Sequence, residues 1–303
     1  MRKIFFAIAL SSALLFVLSG TPAGAEETRQ VSSGTLRLTI APSFGFQVQK
    51  FDSPDTGKVM AVSAGMGLEY GATDWFCAQA LWLPGINAWS KMDGGTYGRC
   101  SDAFLGMKFG IIGENALVVR DNYRLAIAAG VITPLPSTDG SDHEGDYHLW
   151  GTALQFFYDR IVTPLFYLNL YAEFIYFPDQ RLIGPNFTTR SVYHPLDMTY
   201  EADFRFRYAV QDKNMVLNWG FPQTIFFSPW INRNDPNAMD TMVTVTTGLF
   251  FTASFTGFKV PFDISLIYKA PILGRNVQPV QRLSILGRLY FSGSREQGVG
   301  SGD

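Results

Sequence analysis

The feature that most constrains this chain is an alternation of apolar and polar residues with a period of two, repeated along almost its whole length. In the segment 198–211, aromatic and small apolar residues occupy every second position, and Thr, Glu, Asp and Arg lie between them. Successive side chains of a β-strand point to opposite faces, so such a segment has one apolar and one polar face. The predicted strands are 34–49, 58–71, 75–84, 100–112, 122–133, 148–159, 164–177, 198–211, 215–227, 241–254, 257–269 and 280–291.

The lengths of these segments and of their connections point to a membrane barrel. Most segments have about ten or more residues, which matches the ~9–11 that a tilted strand needs to cross a bilayer. Short connections (72–74, 211–214, 256–257) alternate with longer ones, as in outer-membrane barrels. The connection 113–121 is long for a turn, so ten or fourteen strands stay open. The longer connections are 84–99, 133–147, 178–197, 228–240 and 270–279.

We therefore predict an all-β fold, a transmembrane antiparallel up-and-down β-barrel of about twelve strands over residues 34–291. The alternative is a soluble β-sandwich, in which a second sheet would have to cover every apolar face. Aromatic residues such as Trp75, Trp82, Tyr147 and Trp219 lie near strand ends, where a membrane barrel carries its two aromatic girdles. Extraction into buffer without detergent would favour the sandwich.

The amino-terminal residues predict export. Arg2 and Lys3 precede an apolar run over 4–18, and a stretch of small residues ends in Ala23-Gly24-Ala25. This order is typical of a secretory signal peptide, here residues 1–25. An amino-terminal membrane anchor is the alternative, which the short apolar run disfavours.

The rest of the predicted organisation follows from the barrel. A short segment, 26–33, precedes the first strand, and a polar tail, 292–303, follows the last. We expect a bacterial outer-membrane protein with long loops outside and both termini in the periplasm.

Three motifs in order carry a family resemblance. Residues 67–75 read GLEYGATDW, residues 105–108 fit Leu-Gly-x-Lys, and residues 130–134 fit Gly-Val-x-x-Pro. The order resembles the outer-membrane transporters grouped with phenol-degradation MetA-pathway proteins and, more loosely, the FadL-type channels for hydrophobic compounds. The eight-stranded OmpW family is similar in style. The resemblance covers about residues 58–136 and implies a channel for small solutes, including hydrophobic ones. Unlike the FadL type, the chain has no room for a plug before its first strand.

Charged side chains on the polar faces are predicted to point into the lumen, because Arg or Lys facing lipid at mid-depth costs about 2–4 kcal/mol. We expect Glu173 to meet Arg205, Asp263 to meet Arg288, and Arg37 to lie near Arg288. Tyr167, Asn169, Lys259 and Lys269 share these polar faces. The predicted channel-lining residues are Arg37, Glu69, Lys108, Arg124, Glu173, Glu201, Asp203, Arg205, Arg207, Asp263, Arg282 and Arg288.

The state of the lumen is open at this point. A barrel of this size lies between small barrels filled by side chains and open porins, so a conducting and a sealed interior are both alternatives. The mixture of charge signs argues against strong ion selectivity.

Other classes of function find little support. The net charge of −2 offers no basic face for nucleic acid. None of the three histidines lies in a segment resembling the outer-membrane phospholipase, so we predict no catalytic residue, no cofactor and no enzyme activity. The acidic loop 139–146 offers oxygen ligands but lacks the EF-hand pattern, so we predict no metal site. Strand register separates Cys77 from Cys100, which we predict to be unpaired.

The sequence thus predicts a channel or transporter for small solutes. Its expected partners are outer-membrane lipid, the solute, and the insertion machinery that reads a terminal aromatic such as Phe291. The alternative is a non-conducting barrel whose long loops mediate adhesion or host contact.

Overall fold

A computed structural model describes residues 31–47, 59–84, 88–90, 101–134, 150–178, 192–193, 195–210, 214–232, 239–275 and 280–292. The predicted signal peptide, the carboxy-terminal tail, the loop 139–146 and Cys100 lie outside these residues. Within them, no helix is long and apolar enough to cross a membrane.

The described residues form twelve long β-strands and three short ones. The short strands are β4 (Ala88–Ser90), β6 (Val118–Val119) and β10 (Val192–Tyr193). The long strands are β1 (Thr35–Gln47), β2 (Val59–Thr73), β3 (Phe76–Pro84), β5 (Ser101–Gly113), β7 (Tyr123–Pro134), β8 (Gly151–Thr163), β9 (Phe166–Tyr176), β11 (Leu196–Val210), β12 (Met215–Asn232), β13 (Met239–Phe255), β14 (Phe262–Arg275) and β15 (Val280–Ser292).

The long strands close into a single barrel. Each pairs antiparallel with its neighbours along the chain, and β1 pairs with β15 as well as with β2. The register at the closure places Thr35 opposite Ser292 and Leu36 opposite Tyr70. Closure removes the sheet edges whose unpaired backbone groups would be costly in lipid. The predicted antiparallel up-and-down barrel is confirmed, and the sandwich alternative is wrong because one sheet closes on itself.

The two faces of the wall differ as the period of two predicts. In β8, every second residue from Gly151 to Asp159 is buried, and the residues between them are exposed or half-buried. On the other strands too, the outward positions carry large apolar side chains; Met107 and Leu249 are exposed by 51% and 50%. The barrel is therefore apolar outside and mostly polar inside, the reverse of a soluble protein.

The bounds of β14 differ from the predicted segment 257–269 at both ends, and a proline lies near each end. The segment predicted as 257–269 is β14, which begins only at Phe262 because Pro261 has no N–H for the ladder. At its other end β14 continues through Pro271 to Arg275, with a register shift in the β13 pairing between Val245 and Thr246.

The predicted long loops 228–240 and 270–279 are therefore wrong. Strand β12 extends to Asn232, so the connections that remain are 233–238 and 276–279.

The connection 113–121 does not add strands to the barrel. Strand β6 within it folds back to pair parallel with β5, Ile112 opposite Val118. The backbone N–H of Leu117 donates to the carbonyl of Gly110 at 3.0 Å. The count of long strands in the described chain is therefore twelve, and the alternatives of ten and fourteen are wrong.

Candidate functional site

The candidate site is the interior of the barrel, and the strand register places all twelve predicted residues on its inward face. Most are buried or half-buried, whereas Arg207 is exposed near the turn end of β11. Their part in lining a passage stays a prediction. Lys259, predicted on the same face, instead lies exposed in the connection 256–261, because β14 begins after it.

The three predicted contacts have different outcomes. Asp263 lies opposite Arg288, with its Oδ2 3.9 Å from the Arg288 Nη1, so this pair is confirmed. The contact between Glu173 and Arg205 is wrong, because the β9–β11 register places Glu173 opposite Thr199 and Arg205 opposite Tyr167. Arg288 lies opposite Thr39 across the closure, one inward position from Arg37, but Arg37 forms its ion pair elsewhere.

Arg37 forms an ion pair with Glu69 on the neighbouring strand β2. The Gln79 Nε2 on β3 donates to the Glu69 Oε1 at 2.6 Å. Lys108 on β5 places its Nζ 4.5 Å from the centre of the Phe157 ring, a cation–π contact. Arg37, Glu69 and Lys108 are exposed by only 2%, 3% and 1%. These three charged side chains thus contact other side chains of the barrel and are shielded from bulk water.

A second group links β7, β8, β9 and β11 by alternating charge. The Arg124 Nη1 lies 3.6 Å from the Asp159 Oδ2, and the Asn169 Nδ2 donates to the Asp159 Oδ1 at 2.6 Å. The Arg205 Nη2 donates to the Asn169 Oδ1 at 3.2 Å, and its Nε to the Asp203 Oδ2 at 2.5 Å. Asp159, Asn169 and Asp203 lie opposite one another in the ladder, which places the three side chains in one row.

A third group reaches across two intervening strands. The Lys269 Nζ on β14 donates to the Glu201 Oε2 on β11 at 2.5 Å, and the Thr224 Oγ1 on β12 donates to the same oxygen at 2.7 Å. Gly248 on β13 lies opposite Lys269, and a Cβ there would lie 3.1 Å from the Lys269 Cγ and 2.6 Å from the Tyr268 carbonyl oxygen. The absence of a side chain at Gly248 lets the lysine cross β13.

We call these three groups the ionic belt. Four of its five cationic side chains face a carboxylate, Lys108 lies over the Phe157 ring, and most of its side chains are buried, so the belt carries little unbalanced charge. Of its members, sequence reasoning did not single out Gln79, Phe157, Asp159 or Thr224. The members are Arg37, Glu69, Gln79, Lys108, Arg124, Phe157, Asp159, Asn169, Glu201, Asp203, Arg205, Thr224 and Lys269.

Cys77 lies at the level of the belt, opposite Lys108 in the β3–β5 register. It is buried, and its predicted lack of a bond to Cys100 stays a prediction because Cys100 lies outside the described residues.

A cavity of about 390 Å³ lies on the turn side of the belt. It reaches the turns between strands at Pro164 and Pro261, and residues of the belt form its inner boundary. Arginine, aspartate and tyrosine residues line it together with apolar residues such as Ile161 and Phe255, so it is partly apolar and carries charges of both signs. The charged and tyrosine residues around it are Arg37, Arg124, Asp159, Tyr167, Arg205, Arg207, Asp263 and Tyr290.

On the loop side of the belt, one part of the inward face is apolar. Sequence reasoning missed this apolar cluster, although Phe104 and Ile175 have the same strand parity as the inward Lys108 and Glu173. The parity alone could have placed both residues inside. The apolar cluster is Leu81, Phe104, Ala153, Ile175 and Phe177, with Ile132 packed against it.

Two opposed glycines allow Phe104 to lie against the wall. Gly106 pairs with Gly130 across β5 and β7. A Cβ at Gly106 would lie 2.6 Å from the Phe104 Cε1, and a Cβ at Gly130 would lie 2.7 Å from the Phe104 Cε2. A side chain at Gly106 would displace the ring from the apolar cluster, and one at Gly130 would meet both the ring and the Leu105 carbonyl oxygen.

The substitution Gly130→Ala is therefore expected to lower the free energy of unfolding by about 1–3 kcal/mol, the usual cost of overpacking. Denaturant titration of the barrel in detergent measures the change. The matched control is Gly287→Ala, where the nearest atom to a new Cβ is the Ile40 carbonyl oxygen at 4.0 Å. Equal effects of the two substitutions would show that Phe104 does not depend on the glycine surface.

Comparison with known proteins gives a match to the fold. No family model matches the chain, and no curated protein matches it. Among solved structures, an outer-membrane channel from Pseudomonas putida F1 is similar at 14% identity and a TM-score of 0.66, over 90% of this chain and 100% of that one.

More distant similarities are to channels for monoaromatic hydrocarbons. A deletion mutant of TodX, a P. putida protein, has 8% identity and a TM-score of 0.43 over 91% of this chain and 94% of that one. CymD has 13% identity and a TM-score of 0.35 over 97% and 96%. The predicted resemblance to outer-membrane channel proteins is confirmed for the fold, and the twelve long strands exceed the eight of the OmpW style.

Proposed function

We propose that this chain is a channel that lets small solutes, including hydrophobic ones, cross a bacterial outer membrane. The observation that carries the proposal is the sidedness of the closed barrel, with large apolar side chains outside and ion pairs inside. An apolar outer wall is compatible with a lipid bilayer, and the long strands, of 9–18 residues, are long enough to cross the bilayer. The apolar cluster adds an interior surface that suits the apolar part of a solute.

The proposal includes an orientation. The turns at the end where Thr35 pairs with Ser292 face the periplasm, and the longer connections face outward, as is usual for outer-membrane barrels. Outer-membrane lipid then surrounds the wall. The insertion machinery is the expected partner during biogenesis, and Phe291, at the end of β15 and exposed by 42%, is the aromatic it would read.

A second candidate is a sealed barrel that acts through its outer loops. Burial of the ionic belt favours it, since Arg37 and Lys108 are almost inaccessible to water in this conformation. In a channel, these side chains would have to move aside when a solute passes. The two candidates therefore differ in whether the belt opens.

The deciding experiment is conductance in planar bilayers, with liposome swelling in parallel for uncharged solutes. A shift between boiled and unboiled samples on a detergent gel first shows that the barrel is folded. For the channel we expect discrete conductance steps with little selectivity between cations and anions, because the belt has mixed signs. A bilayer that stays sealed at high load of folded protein would contradict the channel and favour the sealed barrel.

A further inference from the structure

A row of oxygen-bearing side chains lies on the inward face between the ionic belt and the loop end. Gln155 on β8 lies directly opposite Glu173 on β9. The β9–β11 register places Thr199 opposite Glu173 and Asp197 opposite Ile175, one inward position nearer the loop end. The β11–β12 register, which pairs Met198 with Phe227, places Ser228 next to Asp197. The exposed fractions of Gln155, Glu173, Asp197 and Ser228 are 3%, 4%, 1% and 0%.

The hydrogen bonds within this row are incomplete. The Gln155 Nε2 donates to the Glu173 Oε1 at 2.7 Å. The Glu173 Oε2, the Gln155 Oε1 and the Ser228 Oγ have no hydrogen-bond partner in the part of the chain that the structure describes. No described arginine or lysine forms an ion pair with Glu173. Buried oxygens without a donor and a buried carboxylate without a counter-ion are both unfavourable, so these three oxygens of Gln155, Glu173 and Ser228 can accept further hydrogen bonds.

The row adjoins the apolar cluster. Ala153 and Ile175, both members of the cluster, lie opposite each other in the same ladder as Gln155 and Glu173. Inward residues two apart on a strand are separated by about 6–7 Å. A ligand about 6–7 Å long can therefore pack its apolar body on Ile175 and place its polar head at Glu173.

We propose that Gln155 and Glu173 bind the ammonium group of a small amphipathic amine, with its apolar body against Ala153 and Ile175. The proposal rests on the channel function and names its substrate class. An ammonium supplies three N–H donors and one positive charge, which match the unpartnered oxygens of both side chains. An alcohol would leave the carboxylate uncompensated, and a bare metal ion would make no use of the apolar cluster.

The test compares three probes that share one body and differ in the head: 2-phenylethylamine, 2-phenylethanol and phenylacetate. Binding to the folded wild-type barrel in detergent is measured by calorimetry and by the shift in thermal unfolding. We expect saturable binding of the amine, about ten- to hundredfold weaker binding of the alcohol, as for loss of a hydrogen bond to a charged group, and none of phenylacetate.

The variant Glu173→Gln keeps the shape and can still accept from Gln155. We expect it to lose the preference for amine over alcohol. The matched control is Ser284→Ala on β15, a buried inward residue hydrogen-bonded to Ser43 at 2.7 Å on the other side of the barrel, which should bind the amine as the wild type does. The gel shift shows that each variant is folded. If Glu173→Gln does not fold, the preference of the wild type for amine over alcohol remains the test.

Several results would overturn the proposal. Equal binding of amine and alcohol to the wild type would exclude recognition of the charge, and equal amine affinity in a folded Glu173→Gln would exclude Glu173. The same thermal shift with ammonium chloride or calcium chloride alone would indicate an inorganic cation site. No saturable binding would mean that water alone satisfies these oxygens. A sealed bilayer contradicts the channel function whatever the binding result, so the two failures are distinguishable.

Discussion

The substitution Lys269→Met is expected to lower the free energy of unfolding by up to about 3–5 kcal/mol, the usual effect of leaving a buried charge, here the Glu201 carboxylate, without its partner. The Lys269 Nζ lies 2.5 Å from the Glu201 Oε2, and the Glu201 side chain is only 1% exposed. Without the lysine, Glu201 keeps the Thr224 hydroxyl as a donor but loses this positive charge. The loss would affect four strands, because the pair joins β11 to β14 across β12 and β13.

Denaturant titration of the folded barrel in detergent, followed by tryptophan fluorescence, measures the change. The double variant Lys269→Met, Glu201→Gln removes both charges and is expected to recover most of the loss. The control is Lys259→Met, an exposed lysine in the connection 256–261, which should change stability by less than about 0.5 kcal/mol. If Lys269→Met behaves like this control, the pair gives no net stabilisation.

The strands and the direction of their side chains could be predicted from sequence because apolar and polar residues alternate with a period of two. In a membrane barrel the apolar face points outward and the polar face inward, the reverse of a soluble protein. The prediction 100–112 corresponds to β5, Ser101–Gly113, and the prediction 122–133 to β7, Tyr123–Pro134. In each strand the parity of one charged residue, Lys108 in β5 or Arg124 in β7, indicates which residues face inward. The ends of β14 were not predictable in this way, because Pro261 stops the ladder whereas Pro271 is accommodated next to a register shift.

Contacts inside the barrel depend on register, which alternation does not determine. Slipping a hairpin by two residues keeps every side chain on its face but changes its partner. A short connection limits such slipping. Asp263 on β14 and Arg288 on β15 were paired correctly because only the connection 276–279 separates their strands. Glu173 and Arg205, separated by the long connection between β9 and β11, were not.

The contact of Lys269 with Glu201 depends also on the curvature of the wall and on the missing side chain at Gly248. Neither property belongs to one strand alone. The apolar cluster was missed for a different reason. Apolar residues were expected to face lipid, so inward-facing ones such as Phe104 and Ile175 were not considered as part of the site.

The substitution Phe157→Ala is expected to raise the single-channel conductance and to lower the free energy of unfolding by about 3–5 kcal/mol. Phe157 is fully buried in the ionic belt, with the Lys108 Nζ 4.5 Å from its ring centre and the Tyr171 ring at 5.2 Å. Its buried neighbours Ala126 and Ala128 are too small to fill the space that the ring leaves. Lys108 would also lose its cation–π contact.

The neighbouring residue provides the control. Phe156 points outward and is 36% exposed, so Phe156→Ala removes an equal ring from the outer face without changing the interior. Phe157→Leu fills part of the space and should give an intermediate conductance. Recordings in planar bilayers at equal amounts of folded protein compare the wild type with the three variants.

The comparison separates the two candidate functions. In a channel, conductance rises with the space opened at Phe157 and stays at the wild-type value in Phe156→Ala. If the wild type is sealed and Phe157→Ala conducts, the belt itself closes the barrel, and the sealed form is the resting state. If both alanine variants equal the wild type while folded, no passage runs past Phe157. The route would then follow the opposite wall, where Thr224 and Lys269 form the belt, and Lys269→Met would be the variant that changes conductance.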